Sequence, residues 1–368
     1  MYDRLCGGGL CAARRLIEAR RRRGEAAKMR LCVGTAKGIV ILDPDRGRVP
    51  LMILADPSSV WCMAQDCRDP SLIYAGATGF ASMGSVRGKG SLARSTDGGR
   101  TWSDITPPLA REEDVWALAT PPDSPREVLI GTSHARLFRS KDAGRGFTEC
   151  VAFLQVPGRE RWSFPPAPHI PHVRSIVFDP RQPATMYVGV EEGGVMRSRD
   201  RGASFEVLNQ GLYPDVHTLA IDPDDSRRLY ATTGGGFYLS ESAGGSWRHV
   251  TGGFSRRYTI PLLIDPADPA IVYTAAAAGP PPTWQSGAGG ADALMFRSCD
   301  RGASFEPVAS EGGPMRAMMM RFARDVRDAG GFFAVTTDGS VVSARNHGQS
   351  IAPIAEKLPP AYDLVAIP

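Results

Sequence analysis

The sequence of 368 residues contains no run of about 18 apolar residues, the length a membrane-spanning helix needs, so no membrane crossing is expected. It contains no C-x-x-C pair. Its seven cysteines, Cys6, Cys11, Cys32, Cys62, Cys67, Cys150 and Cys299, are odd in number, and several lie in apolar stretches. That pattern argues against a disulfide framework and for reduced thiols in a cytoplasmic protein. No apolar segment with a cleavage site opens the chain, so no secretory signal is read. A basic body is missing as well. Residues 1–28 hold eight of the 43 basic side chains and three of the 39 acidic ones, which leaves 35 basic against 36 acidic in the remainder. Duplex binding needs a basic stripe on the fold. Here the positive charge sits in a tail, so no nucleic acid is expected on the folded body. Residues 1–28 are read as an extension outside the fold, and Met29 as the start of a single folded unit running from 29 to 368.

What is abundant is turn chemistry. The 41 glycines and 30 prolines accompany an ordinary 22% of charged residues, which points to many short strands in a globular chain. A short pattern, Ser-x-Asp-x-Gly-x-Ser/Thr-aromatic, then recurs. Ser95, Asp97, Gly99, Thr101 and Trp102 give it in full, and Ser198, Asp200, Gly202, Ser204 and Phe205 repeat it. Ser298, Asp300, Gly302, Ser304 and Phe305 form another good copy. Ser140, Asp142, Gly144 and Phe147 lack only the second hydroxyl. Ser240, Gly244, Ser246 and Trp247 carry Ser242 in place of the acid, and Asn346, Gly348, Ser350 and Ile351 are a worn sixth copy. The spacing is that of a tight turn. The acid accepts backbone N–H groups across it, the glycine permits positive φ, and the aromatic packs back between sheets. Asp97, Asp142, Asp200 and Asp300 are therefore read as structural.

Each copy lies in a larger unit of four short strands repeating every 40–50 residues, which is the pattern of a propeller blade. Six blades are expected to begin near Val60, Val115, Val173, Val216, Thr259 and Met315. A seventh is split, with its middle strands in 31–34 and 38–42 and its inner strand in 362–367. The fold class expected is an all-β, seven-bladed propeller of four antiparallel strands per blade, closed by pairing the C-terminal strand beside the N-terminal ones, which removes the free edge.

These boxes, together with "VGTAKGIVILDPD" at 33–45 and "YVGVEEGGVMRSRDRGASF" at 187–205, resemble the Asp-box (BNR) repeats of sialidase-like propellers, and in particular cytosolic bacterial BNR-repeat proteins. The same repeats occur in photosystem II assembly-type propellers, sortilin-type receptors and xyloglucan-active glycosidases. The resemblance covers 29–368 and implies the fold. Its implied functions are ligand binding, glycoside hydrolysis, or an assembly and scaffold role. A sialidase would carry Arg-Ile-Pro before its first box. The nearest strings here, His169-Ile170-Pro171 and Thr259-Ile260-Pro261, lack the Arg, which speaks against that activity.

In such a ring, the loops entering the first strands and those between the second and third strands share one face, and the boxes lie on the other. The long insertions at 79–91, 151–172 and 275–294 all fall opposite the boxes, where function is expected. Aligned first strands bring Trp61, Trp116, Arg174, His217, Ile260, Arg316 and Asp363 to one position at the channel mouth. Glu191 and Glu192 belong to the adjoining loop. His134, Lys37 and Asp338 occupy aligned loops. Glu160, Arg161, Trp162, Phe164, His169 and His172 lie on the long incoming loop, with Arg256, Arg257 and Tyr258 entering the blade that begins at Thr259. Arginines offer paired bonds to carboxylate or phosphate, and Trp offers a stacking face. The expected partner is thus a small anionic or carbohydrate ligand, or a protein, bound by a monomer. For hydrolysis the candidate carboxyls are Glu191, Glu192, Asp363 and Glu160. No cofactor is expected. His169-x-x-His172 with His217 is the one metal pattern considered, and its proline-rich setting is unlike a helix-borne site, so no metal is expected either.

Overall fold

The computed structural model describes residues 29–45, 51–52, 59–79, 90–109, 113–286, 289–308 and 313–368. The Arg-rich extension and the centre of the first insertion, residues 80–89, lie outside these. The described residues form seven four-stranded antiparallel sheets in a ring, a seven-bladed propeller. Blades 1 to 6 open with inner strands Ser59–Gln65, Asp114–Ala119, Val173–Phe178, Val216–Ile221, Tyr258–Ile264 and Met319–Arg324. In the closing blade, Ala361–Ile367 pairs with Arg30–Thr35, followed outward by Gly38–Leu42 and Leu51–Met52. Among the described residues the one α-helix is the short Pro281–Ser286, and none of their helices is long and apolar enough to cross a membrane. Blade 6 begins at Met319 rather than Met315, which instead forms an isolated bridge with Ala293.

Burial follows from stacking blade on blade. Second strands such as Met186–Val190 and Leu229–Thr233 are buried along their whole length, because both of their faces meet neighbouring blades, so they read as continuous apolar runs rather than alternating ones. Fourth strands such as Glu206–Val207 are exposed at the rim. The stacking is close. A Cβ on Gly76 would fall 2.5 Å from Val115 Cγ1 of the next blade, so a side chain there would hold the blades apart. Cys32 and Cys62 are buried between blades as free thiols, and burial pushes Cys32 up to about 12, which keeps it protonated and inert.

The repeated turns brace each blade against its predecessor. Asp97 accepts hydrogen bonds from the backbone N–H groups of Arg100 and Thr101 (both 2.9 Å) and from the hydroxyls of Thr101 (2.6 Å) and Ser95 (2.8 Å). Asp200 and Asp300 repeat this with Ser204 and Ser304. Where Ser242 stands in for the acid, only the Ser246 N–H bond of 2.9 Å keeps its length. Gly99 has φ 82°, and its Cβ would lie 2.5 Å from Cys32 of the closing blade. Gly144, Gly244 and Gly302 abut Ile105, Leu208 and Tyr230 of the preceding blades in the same way. Buried aspartates at the inner-strand ends add further ties. Asp66 receives the Arg126 N–H at 2.6 Å and Asp222 the Arg301 guanidinium at 2.6 Å, both from the following blade.

Two outcomes follow from these turns. Gly99→Ala should destabilise by more than about 1 kcal/mol, since alanine must adopt positive φ there. Urea melts check it, and a loss no larger than that of the exposed Lys141→Ala contradicts it. Slight burial works against the charge on Asp97, but the bonds from Thr101, Ser95 and Arg100 outweigh it and hold the carboxyl at about 2, below the ordinary value of about 3.9. A depressed folded value stabilises fully above the ordinary value and is lost as pH falls through about 2. Asp97→Asn should flatten the stability slope between about pH 4 and 2, as read by acid titration of the melting temperature.

Candidate functional site

Every inner strand carries an extra residue. The ladder registers step over Trp61, Trp116, Arg174, His217, Met320 and Tyr362, and in blade 5 over Ile260 and Pro261 set against Ala275. A bulge re-aims a side chain out of the alternating pattern. Here it recurs at the second or third residue of each inner strand, so one side chain per blade, Ile260 in blade 5, forms a collar around the channel. The collar lies toward one end of the ring. At that end the incoming loops meet the turns between second and third strands, through Glu191 N–H to His172 O (3.2 Å), Gly234 N–H to Asp215 O (3.0 Å) and Ala36 N–H to Pro360 O (2.8 Å). At the opposite end the Asp-bearing turns meet the turns between first and second strands, through Gly98 N–H to Ser71 O and its five counterparts donated by Ala143, Arg201, Ala243, Arg301 and His347.

One side of the collar is aromatic. Tyr362 stacks on Trp61 at 4.2 Å and 7°, and Trp61 lies 5.1 Å from Trp116. His172 stacks on Trp116 at 4.0 Å, with Phe164 edge-on to His172 at 4.7 Å. The Arg174 guanidinium sits over both indoles, 5.7 and 6.0 Å from their centroids, a cation–π arrangement. The Trp61 N–H, though buried, finds no hydrogen-bond partner among the described residues.

Carboxylates flank this aromatic side. Glu191 Oε2 lies 2.8 Å from His172 Nε2 and 3.5 Å from Arg174 Nε. Burial disfavours its charge, yet His172, His217 and Arg174 outweigh burial and hold the carboxyl well below the ordinary range. Glu192, at φ 56°, goes the other way, pushed up by burial and by Asp215 and Glu191. Asp363 is also raised by burial, which outweighs its partners Arg321 at 3.1 Å and the Met63 N–H at 2.7 Å. His217 lies 2.5 Å from the Thr259 carbonyl through Nδ1 and 3.2 Å from Asp215 Oδ1 through Nε2. Burial opposes its charge, and Asp215 and Glu191 outweigh burial and raise it. The Tyr258 ring lies 4.8 Å from that imidazole, and burial beside Glu191 and Asp215 pushes its hydroxyl upward.

The structure therefore gathers Trp61, Trp116, Arg174, His172, Phe164 and Glu191 in one group and His217 and Tyr258 in an adjoining one. Two of the aligned positions are corrected. Met320, not Arg316, is the bulged residue of blade 6, and Tyr362, not Asp363, that of the closing blade. Arg316 is exposed on the incoming loop, its carbonyl bonded to Ala291 N–H. Asp363 turns instead to Met63 and Arg321. Arg161 is exposed beside Glu160 at 3.6 Å, Trp162 packs on Phe153 at 5.5 Å, and exposed His169 bonds the Phe164 carbonyl at 2.8 Å, so none of these joins the aromatic group. Arg256 pairs with Asp292 at 2.8 Å. Sequence reasoning missed Asp215 and Arg321. Each lies within a few residues of a position that the strand alignment marks, and that proximity was the available signal.

No protein-family model matches the chain, and no curated protein matches it in sequence. Solved structures do share its fold. It is similar to the GH74 xyloglucanase from Xanthomonas campestris, at 18% identity and TM-score 0.65 over 91% of this chain and 52% of that one. It is similar to a GH74 enzyme of Niastella koreensis, at 17% identity and TM-score 0.63 over 88% and 51%. It is also similar to YCF48 bound to a D1 peptide, at 15% identity and TM-score 0.56 over 85% and 87%. The chain thus spans about half the length of the GH74 enzymes and most of YCF48.

Asp363→Ala should cost about 2–3 kcal/mol by orphaning the buried Met63 N–H. Guanidinium melts read the loss, and a change under about 0.5 kcal/mol, typical of a surface site, contradicts the anchoring role.

Proposed function

We propose that the collar binds a small carbohydrate-like or anionic ligand. The observation that carries this reading is the cationic Arg174 laid over the faces of Trp61 and Trp116 at the end of the channel where the incoming loops converge. Planar indoles stack on the apolar face of a sugar ring, and a guanidinium offers paired donors to a carboxylate or phosphate. The unpartnered Trp61 N–H adds a donor a ligand oxygen can accept. The xyloglucanase similarity is in keeping with a sugar-like ligand, and the peptide-bound YCF48 with a protein partner acting as an assembly or scaffold contact on the same scaffold. Membership of the Asp-box repeat family and a cytoplasmic setting are part of this proposal. They rest on the repeated turn and on the free buried thiols.

A second reading, glycoside hydrolysis, is favoured by one observation. Glu191 is driven toward the ionised form while its neighbour Glu192 is driven toward the protonated form, the division between base and acid that such chemistry needs.

A thermal-shift series with neutral sugars, sugar acids and phosphates tests the binding. A true ligand raises the melting temperature by mass action, about 2.7 kcal/mol at 100-fold excess over Kd. The shift should vanish in Trp61→Ala and Arg174→Gln and persist in Lys141→Ala on the opposite face. A ligand whose shift survives in both collar variants, or a panel that yields none, overturns the reading. Any ligand found is then assayed for turnover with Glu191→Gln alongside, and turnover unaffected by that change removes the hydrolase assignment.

A further inference from the structure

We infer that Glu191, Asp215 and His217 form a divalent-cation site, of the zinc or manganese type, set into the wall of the channel beside the collar. One ligand atom from each lies within 4.8 Å of the other two, although they come from a turn of blade 3, an incoming loop and a bulged strand position. All three residues are more than nine-tenths buried. The second, independent observation is a demand for hydrogen bonds that is only partly met. His217 Nε2 and Asp215 Oδ1 form a buried ion pair at 3.2 Å that falls short of hydrogen-bonding alignment, and neither has another hydrogen-bond partner among the described residues. Buried polar atoms left so are rare and costly.

The surroundings are those of a ligand set. The Thr259 carbonyl, 2.5 Å from His217 Nδ1, accepts a hydrogen bond from it and so turns Nε2 toward the carboxylates, where a bound cation would take the place of a proton. That is the usual support behind a metal-binding imidazole. His172 Nε2 at 2.8 Å orients Glu191 from behind. Gly234 makes room for Asp215, since a Cβ there would fall 2.0 Å from Oδ2. The charged and titratable groups facing the cluster are Arg174, Glu192, His172 and Tyr258. One imidazole nitrogen with two carboxylate oxygens suits zinc or manganese better than the all-oxygen shells of calcium and magnesium. Ligands about 2.1 Å from a common ion lie at most about 4.2 Å apart, so any pair wider than that is drawn inward on binding. Three protein ligands leave a position open. The site does not rest on the ligand-binding reading and is tested without any sugar present.

The full chain is stripped with EDTA, exchanged into metal-free buffer and titrated calorimetrically with zinc and with manganese chloride, magnesium and calcium serving as comparators. One equivalent of zinc or manganese should bind. Affinity should fall at least tenfold in His217→Ala and in Asp215→Asn and be unchanged in His249→Ala, an exposed histidine on an outer strand. Nitrogen NMR of the His217 ring in the unaltered protein supplies a readout that does not depend on variants folding, with Nε2 expected to shift on zinc addition. Absence of stoichiometric binding overturns the site. So does an equivalent that survives both substitutions, or a His217 ring carrying both protons at saturating zinc.

Discussion

The pairing of Ala361–Ile367 with Arg30–Thr35 is the constraint on which the ring depends. Without it the closing blade would lose its inner strand, and two unpaired strand edges would face solvent. The same pairing sets the collar. It places Tyr362 against Trp61, and it brings Asp363 to the Met63 N–H of blade 1, so closure is tied across the seam by a side chain as well as by the ladder.

The two ends of the ring divide the work. At one end, local turn chemistry is repeated blade after blade, and each turn glycine leans on the blade before it. The aspartates there, Asp97, Asp200 and Asp300, spend their lone pairs on their own turns, which leaves them little capacity for a ligand. At the other end the repeat gives way to individuality. The bulge is common to all seven inner strands, but the residue it presents differs in nearly every blade: Trp, Trp, Arg, His, Ile, Met and Tyr. A regular scaffold thus displays an irregular set of side chains, an arrangement suited to recognising an irregular partner.

What was legible in the sequence follows the same division. The turns were legible because every bond of Asp97 or Asp300 lies within four residues of it. Six of the seven blades were legible because the turns count them, and the closing one because strand runs stand at 31–34, 38–42 and 362–367. The collar was legible wherever the start of a first strand is placed correctly, as with Trp61, Trp116, Arg174 and His217. It failed where that frame slips. The run Met318-Met319-Met320 shows no alternation, so the frame fell four residues early on Arg316, and in the closing strand the bulge itself displaced the count by one, from Tyr362 to Asp363. The contacts of Glu191 with His172, and of His217 with Asp215, join segments across loops and strands, and neither periodicity nor spacing reveals them. The incoming loop illustrates the other limit. Its Arg161, Trp162 and His169 have the chemistry of a binding site but are spent on neighbours outside the aromatic group.

The most direct measurement is a crystallographic soak of the full chain with a library of small sugars, sugar acids and phosphates, scored only by where density appears. Occupancy clustered between Trp61, Trp116 and Arg174, with the turn-bearing end empty, is the predicted result. Occupancy confined to the turn-bearing end or the outer rim, with the collar vacant at concentrations that saturate those other sites, would contradict it.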